Sequence, residues 1–352
     1  MKRIDIKKSD IKGFLRVVAV ALVFVIILQA MSLGSFSKLN ATTYKNYFTR
    51  AYSFLTEPDN SIDVAAIGSS DLYSAFVPGI LFEEKGITAT VISSPHQSTL
   101  KSYKFLKELL KTQSPKLLII ETDMLYENAP EFNPSDAKQS LYDKYRQRLE
   151  SPFNSLDYQE FDNSVVSYFS VFRFHDGWKK ADLKALFSPN KKEKPSTIDH
   201  GYNFNDSVKA GKANSNMEKT DIVEPIPQED LRYLNKMLSL CEKNGIRVVL
   251  AEMPTQNSWN YYRHNAMQAY ADENSIEFVD FNLLFDELGF DITADYRDGG
   301  DHCNYYGASK VTLYFSDIIK LNYFPDAQDK RQNPDYAYWT ESITEFKEKY
   351  KV

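Results

Sequence analysis

Two short strings, far apart in the chain, hold the residue types that acyl transfer needs. Gly68-Ser69-Ser70-Asp71 lies between a short apolar run and a helical pattern. A serine at such a junction opens a helix, where free N–H groups and the positive end of the helix dipole favour a developing anion. Ser70 placed there can attack a carbonyl while its own N–H helps bind the oxyanion. Taken alone, the string reads more readily as a helix N-cap. The second string changes that balance. Asp298-Gly299-Gly300-Asp301-His302-Cys303-Asn304 lies between the last apolar run and the last helical pattern. Its glycines make it a loop, Asn304 suits a helix cap, and either Asp298 or Asp301 can orient the His302 imidazole. Nucleophile, base and acid can then meet above one sheet edge.

The other histidines compete poorly. His96, His175, His200 and His264 each lack an adjacent acid with a positional argument, apart from Asp176 beside His175. No His/Asp/Glu cluster has metal-ligand spacing, so neither a metal nor another cofactor is expected. Cys241 sits in a helical pattern and reads as a small buried residue, while Cys303 follows His302; a disulfide between them stays open. A formal net charge of -6 argues against nucleic acid as a main partner. Lys191-Lys192-Glu193-Lys194, between prolines, reads as a solvated loop.

Positioning the two strings takes an alternation of strands and helices. Residues 62–67, 87–92, 117–120, 246–251 and 276–281 are short apolar runs that read as buried parallel strands. Helical spacing covers 72–84, 99–111, 228–243, 259–272 and 305–319. This order predicts an α/β fold, a three-layer parallel sheet with helices on both faces, within residues 61–322. Residues 123–226, rich in Tyr, Phe, Asn and Lys, break the rhythm and are expected as an inserted cap or substrate-facing subregion. Residues 323–352 read as a polar, partly helical tail.

The N-terminus sets the compartment. Residues 17–37 carry no charge and are long enough to span a bilayer. Residues 1–16 hold six basic side chains against two acidic ones. The positive-inside rule keeps that tail in the cytoplasm and sends the rest outward, as a single-pass cell-membrane protein with an extracytoplasmic domain. Residues 38–60 read as a stalk. A cleavable signal peptide is the competing reading, but Gln29-Ala30-Met31-Ser32 is a poor cleavage site.

These pieces resemble the SGNH (GDSL-like) hydrolase superfamily, and within it the single-span bacterial cell-surface group that includes DltD. Ile67-Gly68-Ser69-Ser70-Asp71 resembles the nucleophile block, and residues 298–308 the acid–base block. Residues 92–98, with the Tyr103 helix and Pro115-Lys116-Leu117, are also similar. The likeness covers roughly residues 60–125 and 228–320, and around His175 to Trp178 only loosely. It implies that Ser70 is acylated and that His302 is the base. The family's usual acid position, three residues before the histidine, is Gly299 here. Asp298 is preferred over Asp301, because a side chain next to the histidine usually points elsewhere. The oxyanion glycine of the second block is replaced by Ser93, the oxyanion asparagine has no clear match, and Gln97 is a candidate amide donor. The resemblance implies an esterase or O-acyltransferase acting on a cell-surface polysaccharide or teichoic-acid-like polymer, accompanied by a membrane-bound O-acyltransferase. A catalytically weak accessory that binds the polymer or such an acyltransferase is the alternative, and a plain surface-binding module a third.

Overall fold

The computed structural model describes residues 8–33, 50–127 and 198–352. The chain divides into two compact units, Met1–Asn46 with Tyr142–Glu193, and Tyr47–Leu141 with Lys194–Val352. In the first unit the described element is helix α1 (Lys8–Leu33). Its window Ile11–Leu28 has a mean hydropathy of 2.6, and none of it is buried in protein. The helix starts nine residues before the expected span at 17, because Lys12, Gly13 and Arg16 do not interrupt helix formation; residues 34–37 lie outside the described residues.

The second unit is built on β1 (Val64–Gly68), β2 (Ala89–Ser93), β3 (Leu117–Glu121), β4 (Arg247–Glu252) and β5 (Glu277–Asp280). All neighbouring pairs are parallel, in the order β2-β1-β3-β4-β5. That is the doubly wound order, with a topological switch point beside β1. The α-helices of six residues or more are α2 (Ser70–Ala75), α3 (Pro78–Lys85), α4 (Thr99–Leu109), α5 (Gln228–Lys243), α6 (Tyr261–Asn274), α7 (Tyr305–Ile318) and α8 (Ala337–Tyr350), with one short turn of helix at Phe285–Leu288.

Strand alternation divides the core in two. Val64, Ala66, Val91, Ile119 and Val249 pack with Leu72, Leu81, Val311 and Phe315, so α2, α3 and α7 cover one face. Ala65, Ile67, Ile120 and Leu250 pack with Phe105, Leu106, Leu234, Met237, Met267 and Ala271, so α4, α5 and α6 cover the other. With apolar side chains on both faces, the central strands read as continuous apolar runs. The expected three-layer α/β architecture is the one observed.

Three boundaries differ from the sequence reading. The helix expected over 72–84 is two helices. Phe76 and Val77 are extended ahead of Pro78, which disfavours helical backbone in the residue before it. The last part of the expected stalk packs into the core through Phe54, which is fully buried. Residues 323–352 form no loose tail: Trp339 and Phe346 on α8 are buried, Trp339 stacking on Phe82 with ring centroids 5.1 Å apart.

Of the expected insertion at 123–226, residues 128–197 lie outside the described residues, and with them His175. The returning stretch hugs the domain. Val91 N–H donates to the His200 carbonyl at 2.9 Å beside β2. Lys209 N–H donates to the Tyr296 carbonyl and Gly299 N–H to the Lys209 carbonyl, so the stretch braces the His302 loop.

Candidate active site

Ser70 is the first residue of α2, directly beyond the C-terminal end of β1, and is half-buried. Ser69 occupies the cap position but its side chain makes no capping hydrogen bond. The turn is held from two sides. Ser69 N–H donates to Glu121 Oε2 at 2.7 Å, and the Ser93 hydroxyl donates to the Ser69 carbonyl. Gly68 is required by this packing, since a Cβ there would lie 2.5 Å from Glu121 Cβ. Ser93 sits opposite Gly68 in the strand register. Its hydroxyl thus braces the Ser70 turn.

The second string is a tight loop at the end of the connection between β5 and α7, leading directly into α7. Gly299 and Gly300 both take positive φ, 101° and 117°, which lets the chain fold back on itself. Asp298 then reaches across its own turn: Oδ2 accepts from His302 Nδ1 at 2.5 Å and Oδ1 from His302 N–H at 2.9 Å. The two glycines absorb the extra residue between acid and histidine. Asp301 instead accepts from the Asn257 side chain at 2.7 Å. Burial alone would raise the Asp298 carboxyl, but the hydrogen bonds from the ring and backbone of His302 outweigh it and hold it below the ordinary range. Asn304 caps α7, accepting from Tyr306 and Gly307 N–H.

The two strings meet on one rim of the sheet. His302 Nε2 lies 3.5 Å from Asp71 Oδ1, the residue after Ser70. Ser70 and His302 are not hydrogen-bonded to each other among the described residues; such contacts often tighten only when substrate binds.

The rim also holds acids that sequence spacing did not bring together. Glu121 ends β3, Glu252 ends β4, and Asp123 follows β3; with Asp71 they form a buried carboxyl group cluster. Burial first, then the Asp123 charge, raises Glu121 to about 8. Burial also raises Asp123, to about 6, against the pull of Arg263. Asp71 and Glu252 are raised well above the carboxylate range, chiefly by burial. A carboxylate directly after an apolar parallel strand was the available signal, because strand C-terminal ends line the functional crevice.

Gln97 does not serve as expected. Both its N–H groups are used internally, donating to the Ile92 carbonyl and the Ser102 hydroxyl at 3.0 Å, and the side chain is fully buried. It therefore offers no amide donor to an oxyanion. The two cysteines are both free and buried.

Histidines that looked isolated in sequence find acids through the fold. His264 Nδ1 pairs with Asp280 at 2.8 Å and His96 with Glu127. His200 bridges Glu57 and the Ser342 hydroxyl at 2.8 Å on each side, stacked on Trp339. At 1% exposure it fastens α8 to the domain and offers no opening to a substrate.

No family model and no curated protein matches the chain. Among solved structures, a GDSL-like lipase from Bacteroides thetaiotaomicron is 12% identical, covering 79% of this chain and 98% of its own, with a TM-score of 0.39. A Bacteroides fragilis protein assigned as an acylhydrolase is 12% identical over 80% of this chain and 98% of its own, with a TM-score of 0.37. A Desulfitobacterium hafniense protein assigned to the lipolytic G-D-S-L family is 12% identical over 73% and 99%, with a TM-score of 0.35. Those scores carry no functional argument. The fold class rests on the sheet order and layers of the chain itself.

Proposed function

We propose that this chain is a membrane-anchored, extracytoplasmic serine esterase or O-acyltransferase of the SGNH type, acting on a cell-surface polysaccharide or teichoic-acid-like polymer. The observation that carries the reading is the Asp298–His302 pair, doubly hydrogen-bonded and held on the same rim as Ser70. In this reading His302 Nε2 takes the Ser70 proton as Oγ attacks the acyl carbonyl, and Asp298 steadies the imidazolium. The donor's oxygen leaves with that proton, and Ser70 holds the acyl group as an ester. A sugar hydroxyl or water, deprotonated by His302, then takes the acyl group and frees Ser70. The apolar helix α1 favours anchorage, and a membrane-bound O-acyltransferase is the fitting donor-side partner.

A second reading, a catalytically weak accessory that positions polymer or such an acyltransferase, is favoured by one specific feature. His302 Nε2 faces Asp71 rather than the Ser70 hydroxyl.

One labelling experiment separates the two. The full-length protein in detergent should react with a fluorophosphonate probe and hydrolyse an aryl acetate. Ser70→Ala should abolish labelling and lower kcat/KM by about 10³-fold or more, and in cells it should reduce O-acylation of the surface polymer. Wild-type protein that is folded yet unreactive would leave the accessory reading in place; labelling that survives Ser70→Ala would remove the nucleophile assignment.

A further inference from the structure

Behind Ser70 lies a concentration of buried carboxyl groups that the acyl-transfer reading does not use. One carboxylate oxygen from each of Asp71, Glu121 and Glu252 lies within 4.8 Å of the other two. Three separate elements supply them: the first turn of α2 and the last residues of β3 and β4. Glu121 and Glu252 have no exposed surface, and Asp71 is 5% exposed.

Half of each glutamate is satisfied by the protein. Glu121 Oε2 accepts from Ser69 N–H at 2.7 Å, and Glu252 Oε2 from the Thr122 hydroxyl at 2.5 Å. The other half is not. Glu121 Oε1 and Glu252 Oε1 are fully buried and, among the described residues, receive no hydrogen bond. Buried carboxylate oxygens are costly to leave without a partner, so they are normally paired or bound to a metal. Among the described residues, His302 Nε2 approaches Asp71 from outside at 3.5 Å, and the nearest guanidinium reaches only the edge of the cluster. Arg263 contacts Asp123 at 3.4 Å, and is shared with Glu224 at 3.1 Å and the Ser258 carbonyl at 2.6 Å.

We propose that Asp71, Glu121 and Glu252 form a binding site for one hard divalent cation, Ca²⁺, set directly behind the Ser70 turn. The donor set consists of oxygen alone, which selects the Ca²⁺/Mg²⁺/Mn²⁺ class over zinc or copper. Ca²⁺ fits best within that class. It accepts irregular and bidentate carboxylate ligation at about 2.3–2.6 Å, whereas Mg²⁺ keeps several of its waters, for which a buried site leaves little room. Donor oxygens spaced up to 4.8 Å apart need to draw in slightly around such an ion. Sequence spacing could not disclose this set, since positions 71, 121 and 252 share no local motif.

Binding would also engage the carboxylate that faces His302 Nε2. That consequence rests on the acyl-serine reading; the site itself does not.

The test uses full-length protein in detergent, stripped with a chelator and titrated with Ca²⁺ alone. Expected are one Ca²⁺ per chain by elemental analysis and calorimetry, and a rise in Tm of roughly 3–5 °C at saturating Ca²⁺. Glu252→Gln removes one anionic ligand while keeping its shape, and should weaken Ca²⁺ binding by about tenfold or more. Where that variant fails to fold, Asp71→Asn should give the same loss. Replacing the surface acids, Asp286→Asn with Glu287→Gln, should leave binding unchanged. Wild-type protein that binds no Ca²⁺ and shows no shift in Tm overturns the proposal, as does binding unaltered by both ligand substitutions. Ser70→Ala should keep its Ca²⁺ while losing probe labelling, so the cation site and the acyl-serine reading fail independently.

Discussion

At the scale of single residues, the site turns on which acid serves His302. Asp298 grips the imidazole and its backbone N–H together, while Asp301 is held by Asn257. Asp298→Asn should therefore lower kcat of the aryl-acetate reaction by about 10²–10⁴-fold with little change in KM, because the neutral amide neither fixes the tautomer nor steadies the imidazolium. Asp301→Asn should change kcat less than about threefold. Equal losses from the two would show that the loop, rather than one carboxylate, is being measured. Gly68 is equally specific. An alanine Cβ would lie 2.5 Å from Glu121 Cβ and 2.6 Å from Oε2, the atom that accepts from Ser69 N–H. Gly68→Ala should cost about 1–3 kcal/mol of stability by overpacking, seen in chemical denaturation, and should displace the Ser70 turn.

At the scale of elements, most of the frame was legible because it is local. Helix α5 was read at its observed limits, 228–243, from the periodicity of Leu231, Leu234, Met237 and Cys241 and the closing Asn244-Gly245. All five strands coincide with apolar runs, with ends displaced by at most two residues. What escaped was non-local. The break between α2 and α3 follows from Pro78, yet the apolar spacing on either side hid it. The approach of Glu121 to Glu252 depends on strand order, which no window along the chain contains, whereas Gln97 meets Ile92 and Ser102 only five residues away, and what hid that was the full burial of its side chain. Asp230 illustrates how such packing alters chemistry. It lies in the first turn of α5 and accepts from the Thr99 hydroxyl on α4 at 2.5 Å. Burial raises its carboxyl to about 6; the Thr99 hydrogen bond lowers it and the Glu229 charge adds to the rise. The folded value exceeds the unfolded one of about 3.9, so the folded state holds the proton more tightly. This contribution to stability is present below about pH 4 and is lost as pH rises to about 6. Asp230→Asn should remove that slope. The variant should gain on wild type by about 1 kcal/mol between pH 4 and pH 7, a figure reduced for partial solvent screening and for the lost helix-dipole contact. Parallel pH profiles of the two proteins would show that Asp230 does not titrate differently in the folded state.

At the scale of the whole molecule, α1 imposes a requirement that the α/β unit does not share. Its 18-residue apolar window is about 27 Å long at roughly 1.5 Å per residue, close to the hydrocarbon thickness of a bilayer. Side chains such as Val17, Val20 and Phe24 are each 60–70% exposed. At about 25 cal/mol per Å² of apolar surface, so many uncovered residues favour lipid strongly over water. A cleaved signal sequence satisfies the same composition, and the two readings part on the mature chain. An uncleaved anchor keeps residues 1–16 attached, resists extraction by alkaline carbonate, and leaves the domain open to protease added outside intact cells while the basic tail stays protected. A mature N-terminus beyond Ser32, with the protein released by carbonate, would end the anchored reading. It would leave the Ser70–His302 rim intact, because every residue of that rim belongs to the other unit.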